Sequence, residues 1–244
     1  MRGELSLPSP PKILINNIKN FVKSRLATVR DRMDEIMYKK QMKFQKLICF
    51  IVLLASVILF IYSLGFVTDL YDAFTMPLKD DSNLYDNKHI TLVDGAEIYI
   101  EVQGFNKNLT TAAIILILCS VAMFLTNTHV RRRYYIGNFV TIGVSSAACL
   151  GVSVWNIVNV AMYKKMYQTT VDFDALKVFA EEYDTLFIDE NSTFWFDIGF
   201  VVSALLIIVA AVNILNLIWK IKLMKEEAQL INAELEGSSY DTQY

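Results

Sequence analysis

Apolar residues in this chain are collected into four long blocks instead of being spread along periodic faces. The first block, 47–67, contains no charged residue, and a helix needs about 20 apolar residues to cross the hydrocarbon core of a bilayer. The later blocks, 109–127, 134–163 and 199–219, are equally free of Asp, Glu, Lys, Arg and His. The pattern predicts four transmembrane helices, TM1 to TM4.

The segments between the blocks differ in charge. Residues 1–46 hold 11 Lys and Arg against 4 Asp and Glu, whereas 68–108 and 164–198 each hold 3 against 8. The turn 128–133 carries three arginines and no acid, and the tail 220–244 begins with lysines before it becomes acidic. Because Lys and Arg near span ends mark the cytoplasmic side, both termini and the turn are predicted to be cytoplasmic, with a plasma membrane favoured. The basic residues assigned to the inner membrane surface are Lys19, Lys23, Arg25, Arg30, Arg32, Arg131, Arg132 and Arg133.

TM3 and TM4 each carry two asparagines three residues apart: Asn156 with Asn159, and Asn213 with Asn216. This spacing places both members of a pair on one helix face. Since TM3 and TM4 run in opposite directions, the two pairs differ in depth by roughly 20 Å and are not expected to share a site. Each pair is predicted to hold its helix to a neighbour through hydrogen bonds worth about 0.6–2 kcal/mol. The lining of a pore and the binding of a ligand remain alternatives.

TM3 also carries small residues at a spacing of four, at Gly143, Ala147 and Gly151. Small residues at this interval let another helix backbone approach closely. The pattern predicts that this face of TM3 is either the packing centre of the bundle or its contact with another subunit.

Both cytoplasmic ends have the period of an amphipathic helix. The apolar stripe of the basic N-terminal segment is Ile18, Val22, Leu26, Val29, Met33 and Ile36. The apolar stripe of the acidic tail is Met224, Ala228, Ile231 and Leu235. Three interpretations stay open: the two helices pair with each other, they lie on anionic lipid, or they recruit another protein. Nucleic acid is not expected as a partner, because no base-reading motif accompanies the basic residues.

The two acidic connectors are predicted to form a small cap. In 89–102, two alternating runs joined by Asp94-Gly95 are typical of a β-hairpin. In the second connector, a short helix is expected to begin at Asp172 or Asp174 as its N-cap. Two sequons in these connectors make Asn108 and Asn191 candidate glycosylation sites.

Chemistry-bearing patterns are sparse. The three cysteines, Cys49, Cys119 and Cys149, all fall inside predicted spans, and two histidines are too few for a cluster of His and Cys that could bind a metal. No catalytic residue, cofactor or metal is therefore expected. The predicted fold is an all-α membrane protein, a four-transmembrane-helix bundle with a small extracytoplasmic α+β cap and amphipathic cytoplasmic helices.

These expectations favour a non-catalytic subunit that assembles with a larger membrane complex or regulates it. Its expected partners are the lipid bilayer, anionic lipid, and other membrane subunits or further copies of this chain. The alternative is an oligomeric channel or pore, whose polar side chains would line the path, or a small passive transporter.

Overall fold

The computed structural model describes residues 38–65, 93–128, 132–182 and 189–240. Within them the chain forms helices and turns, without a strand. The helices are α1 (Tyr38–Gly65), α2 (Ile98–Leu125), α3 (Arg132–Thr170), α4 (Phe173–Glu182) and α5 (Phe194–Tyr240). All except α4 contain a stretch that is long and apolar enough to cross a membrane.

The side chains that point away from the helix bundle are large and apolar. Phe50, Leu118 and Ile208, on three different helices, are each about 60% exposed (60%, 62% and 61%). Soluble monomers rarely expose apolar surface on this scale, whereas lipid chains are as apolar as these side chains. The four long helices therefore fit an integral multi-pass membrane protein.

Neighbouring spans run antiparallel. Phe44 near the start of α1 lies against Trp219 of α5, with ring centroids 5.6 Å apart, and Phe105 of α2 lies 4.9 Å from Trp155 of α3. The helices therefore define two ends of the bundle. The turn end contains Phe44, Met123, Asn138 and Trp219. The α4 end contains Gly65, Ile98, Thr170 and Phe194.

The chain divides into two compact units: the bundle unit, Phe44–Trp219, and a terminal unit of Met1–Lys43 with Lys220–Tyr244. In the terminal unit, the hydroxyl of the fully buried Tyr38 donates to Glu227 Oε2 at 2.7 Å. Of the predicted tail stripe, Met224 is half-buried and Ala228 is exposed, whereas Leu223 beside it is buried; the side chains of Ile231 and Leu235 lie outside those described. The predicted N-terminal stripe, 18–36, lies outside the described residues.

The predicted hairpin is wrong where the structure describes it. Residues 93–97 form a turn, and α2 begins at Ile98. Ile98, Val102 and Phe105 are buried while Ile100 is 47% exposed, so burial follows the helical period and not the alternation of a strand. The first predicted strand, 89–92, lies outside the described residues. The cap at this end is therefore helical as far as the structure describes it.

The predicted short helix after the third span is confirmed as α4. Asp172 is its N-cap, because Asp172 Oδ1 accepts the backbone N–H of Ala175 at 3.0 Å. Leu176 and Ala180 form its buried side. The Asp172 N–H donates to the Asp94 carbonyl at 2.9 Å, which ties the 93–97 turn to the start of α4.

The turn at Gly95 should not tolerate a side chain. Gly95 has a φ of 81°, and a Cβ at this position would lie 2.1 Å from the Thr170 carbonyl oxygen. Gly95→Ala should lower the free energy of unfolding by more than the 1–2 kcal/mol or so that a left-handed backbone alone costs an L-residue. Unfolding monitored by helical circular dichroism in detergent measures this loss.

Gly104→Ala is the matched control for Gly95→Ala. Gly104 lies inside α2, and its added Cβ would meet nothing within 4 Å. This change should be neutral or should stabilise the helix by up to about 1 kcal/mol. Equal effects of the two substitutions would contradict the turn geometry.

Candidate functional site

Polar side chains are concentrated inside the bundle. Among the described residues of the bundle unit, the buried polar ones are Gln45, Ser56, Ser63, Asn106, Ser120, Asn127, Asn138, Ser145, Ser146, Ser153, Asn156, Ser203, Asn213 and Asn216. Lipid chains offer no hydrogen bonds, so a polar group in the hydrocarbon region is satisfied only by the protein or by enclosed water. The interior contacts of these side chains are therefore the candidate site.

The densest contacts form the turn-end polar network, which we define as Gln45, Met123, Thr126 and Asn138. Asn138 Nδ2 donates to the Met123 carbonyl at 3.1 Å and to Thr126 Oγ1 at 2.8 Å. Gln45 Nε2 donates to Asn138 Oδ1 at 2.7 Å. The network therefore joins α1, α2 and α3.

The position of Met123 explains why amides gather there. The last four carbonyls of a helix have no partner within it, and α2 ends at Leu125. In a soluble protein, water would satisfy the Met123 carbonyl, whereas here the Asn138 amide does so. The network thus caps a helix end that is buried within the bundle.

Asn213 of α5 contacts α2 and α3 close to the turn-end polar network. Its Nδ2 donates to the Ile142 carbonyl of α3 at 3.3 Å and contacts Met123 Sδ of α2 at 3.7 Å. Asn213 and Asn216 are both fully buried. Ser120 Oγ donates to the Cys49 carbonyl at 2.6 Å and adds a further contact between α1 and α2.

Asn156 joins α3 to α5 nearer the α4 end. Its Nδ2 donates to the Gly199 carbonyl at 3.1 Å and to Ser203 Oγ at 2.8 Å. Ser153 Oγ donates to the Ser203 carbonyl at 2.6 Å. The asparagines at 156 and 159 nevertheless differ, because among the described residues Asn159 donates, at 2.7 Å, only to the Trp155 carbonyl of its own helix.

The two asparagine pairs lie at different depths. On α3, the partner of Asn213 is Ile142, and Asn156 lies fourteen residues further along. That separation corresponds to about 21 Å along the helix axis. The structure therefore does not bring Asn156 and Asn213 into one site.

The small-residue face of α3, which consists of Gly143, Ala147 and Gly151, points outward. Ala147 and Gly151 are exposed, and a Cβ added at either glycine would meet nothing within 4 Å. Gly143 is half-buried, so the exposed part of this face consists of Ala147 and Gly151, which do not lie in the packed interior of the described bundle. Contact with another subunit stays a prediction.

The remaining predicted site residues take no part in the contacts described above or lie outside the described residues. Asn108 is exposed within α2, and Asn191 is exposed in the turn before α5. In that turn, hydrogen bonds from the Ser192 hydroxyl and from the backbone of Asn191 hold the pKa of Asp189 below its ordinary value. Arg132 and Arg133 begin α3. Outside the described residues lie Lys19, Lys23, Arg25, Arg30, Arg32 and Arg131.

Two residues of the network, Gln45 and Asn138, were missed by the sequence analysis. Gln45 precedes the first apolar block, and Asn138 stands alone in the third without a second amide to form a pattern. The available signal was that both lie near the same predicted membrane boundary as the end of TM2. Among the described residues, His, Cys, Asp and Glu form no group that could hold a metal ion.

Because Asn156 and Asn159 have different partners, replacing them should change the free energy of unfolding by different amounts. Asn156→Leu removes hydrogen bonds to another helix and should lower the free energy of unfolding by about 0.6–2 kcal/mol. Asn159→Leu is the matched control, since its amide bonds only within α3, and it should change stability by less than about 0.5 kcal/mol. Unfolding in mixed micelles with increasing sodium dodecyl sulfate measures both values, and equal losses would contradict the assignment.

No protein-family model matches this sequence, and no curated protein or solved structure is significantly similar to it.

Proposed function

We propose that this protein is a non-catalytic subunit that assembles with a larger membrane complex or regulates it, and that the small-residue face of α3 is its contact. The observation that carries the proposal is that Ala147 and Gly151 are exposed in the middle of a span. Glycine costs about 1 kcal/mol relative to alanine in a helix. Contact with lipid does not offset this loss of helix stability, whereas a second helix can pack closely against the glycine backbone and offset it.

The inward orientation of the buried amides supports the same proposal. The Asn138, Asn156 and Asn213 amides point inward and donate to other helices of the same chain. They stabilise the bundle and leave the outer surface to apolar and small residues. Such a surface suits association with another apolar helix within the bilayer.

A pore or passive carrier is the second candidate, and one observation favours it. Asn156 Oδ1 and Asn213 Oδ1 are buried without a hydrogen-bond partner among the described residues. Buried acceptors of this kind are commonly satisfied by internal water. A hydrated path along the α3 and α5 interface would supply the polar lining that a pore needs.

The proposed orientation places the turn end and both termini in the cytoplasm and the α4 end outside, in a plasma membrane. Its support is the charge of the connecting segments, because 128–133 is basic and 164–198 is acidic.

The assembly proposal predicts that Ala147→Ile removes the partner. The larger side chain would hold a second helix away, so recovery of co-purifying membrane protein in mild detergent should fall at least tenfold. Helical content and unfolding should be unchanged, because the Ala147 side chain is exposed. Quantitative mass spectrometry of the purified material measures the recovery.

Ala211→Ile is the control for that experiment. Ala211 is exposed on α5 and receives the same added volume away from the α3 face. It should retain the partner. Retention of the partner by Ala147→Ile, or ion flux through liposomes that contain the purified chain alone, would contradict the assembly proposal.

A further inference from the structure

The membrane-entering end of α1 carries a stripe of lysines. Lys39, Lys43 and Lys46 are spaced four and three residues apart and therefore share one helix face. All three are exposed, and none has an ion pair or hydrogen bond with a described residue. The buried residues Tyr38 and Gln41 lie on the opposite side of the helix.

The lysine face continues directly into the lipid-facing surface of α1. The same helix face continues with Phe50, Leu54 and Ile61, which are 60%, 50% and 61% exposed. These side chains have the exposure and apolarity expected of contacts with acyl chains. The lysines precede these side chains on the same helix face, which is where the headgroups of lipids that contact Phe50 and Leu54 are expected.

The stripe is slightly longer than the headgroup region of one leaflet is thick. Lys39 and Lys46 are seven residues apart, about 10 Å along the helix axis. The interfacial region of one leaflet is about 5–8 Å thick. Lysine stems can lie along the apolar surface while the ammonium groups reach the phosphates at different heights.

We infer that the Lys39–Lys43–Lys46 face of α1 is a binding site for anionic phospholipid headgroups. The ammonium groups contact the lipid phosphate and its negatively charged headgroup, while the acyl chains lie along Phe50 and Leu54. The ligand is a lipid of the surrounding bilayer and not free phosphate, because the apolar contacts are in line with the lysines. Association with phosphatidylglycerol or phosphatidylserine should therefore exceed association with phosphatidylcholine.

The expected size of the preference follows from surface electrostatics. Each lysine near an anionic surface should raise the preference for anionic over zwitterionic lipid about fivefold, the equivalent of about 1 kcal/mol. Three lysines together should give a preference on the order of 100-fold at low salt. The preference should fall as salt rises, because the Debye length shrinks from about 10 Å at 0.1 M to about 3 Å at 1 M.

Trp219 supplies a native reporter for this end of the bundle, since its ring lies 5.6 Å from that of Phe44. The full-length chain with Trp155→Phe and Trp195→Phe is reconstituted in phosphatidylcholine vesicles with a minor fraction of brominated lipid. Quenching of Trp219 by brominated phosphatidylglycerol is compared with quenching by brominated phosphatidylcholine. Native mass spectrometry of lipids retained by the chain with all three tryptophans gives an independent measure.

The test variant is Lys39→Gln, Lys43→Gln and Lys46→Gln combined. The control is Lys107→Gln, Lys165→Gln and Lys177→Gln, which removes the same charge from exposed lysines near the α4 end. The test variant should lose the anionic preference at least tenfold in both measurements, and the control should keep it. Helicity of both variants should match the parent.

Three results would overturn the inference. The first is an equal lipid preference in the test variant and the control. The second is displacement of brominated phosphatidylglycerol by inorganic phosphate at the same concentration, which would make free phosphate the ligand. The third is loss of an acidic protein partner from the test variant while its lipid preference stays intact.

Discussion

The structure depends on the absence of water from the membrane interior. An amide or hydroxyl in the hydrocarbon region has to find its partner within the protein, and here several partners belong to a different helix. The Met123 carbonyl illustrates the constraint: it lies at the end of α2 without an intrahelical donor, and Asn138 of α3 donates to it. Gln45 of α1 then donates to Asn138. One buried helix end thus specifies contacts among three spans.

The same constraint separates the inside of the bundle from its outside. The N–H groups of Asn138, Asn156 and Asn213 donate to other helices, so the outer surface is mainly apolar, with lysines near the start of α1. Within this surface, the small-residue face of α3 is unusual because it offers little side-chain area to lipid. A helix from another subunit gains more from such a face than lipid does, which is why the proposed function is assembly. The lysine stripe of α1 concerns lipid and is independent of that proposal.

The sequence predicted features that depend on composition over many residues and failed where a local pattern was ambiguous. Four uncharged blocks were enough to predict four spans. The 89–102 segment alternates like a hairpin, but Ile98, Val102 and Phe105 also fit a helix, and packing against the bundle decided in favour of α2. The spacing of Asn156 and Asn159 suggested that both hold α3 to a neighbour, but spacing could not show that Asn156 is the one that donates to Gly199 and Ser203. Gln45 and Asn138 form a contact across 93 positions, and no local pattern predicts such a contact.

The most direct test of this account is a double-mutant cycle between Gln45 and Asn138 in the full-length protein. Unfolding free energies are measured for the wild type, Gln45→Leu, Asn138→Leu and the combined variant under the same mixed-micelle conditions. If the buried amides join the helices, the two substitutions should couple by about 0.6–2 kcal/mol, with the combined loss smaller than the sum. Losses that add to within about 0.3–0.5 kcal/mol would contradict the claim that this contact holds α1 to α3.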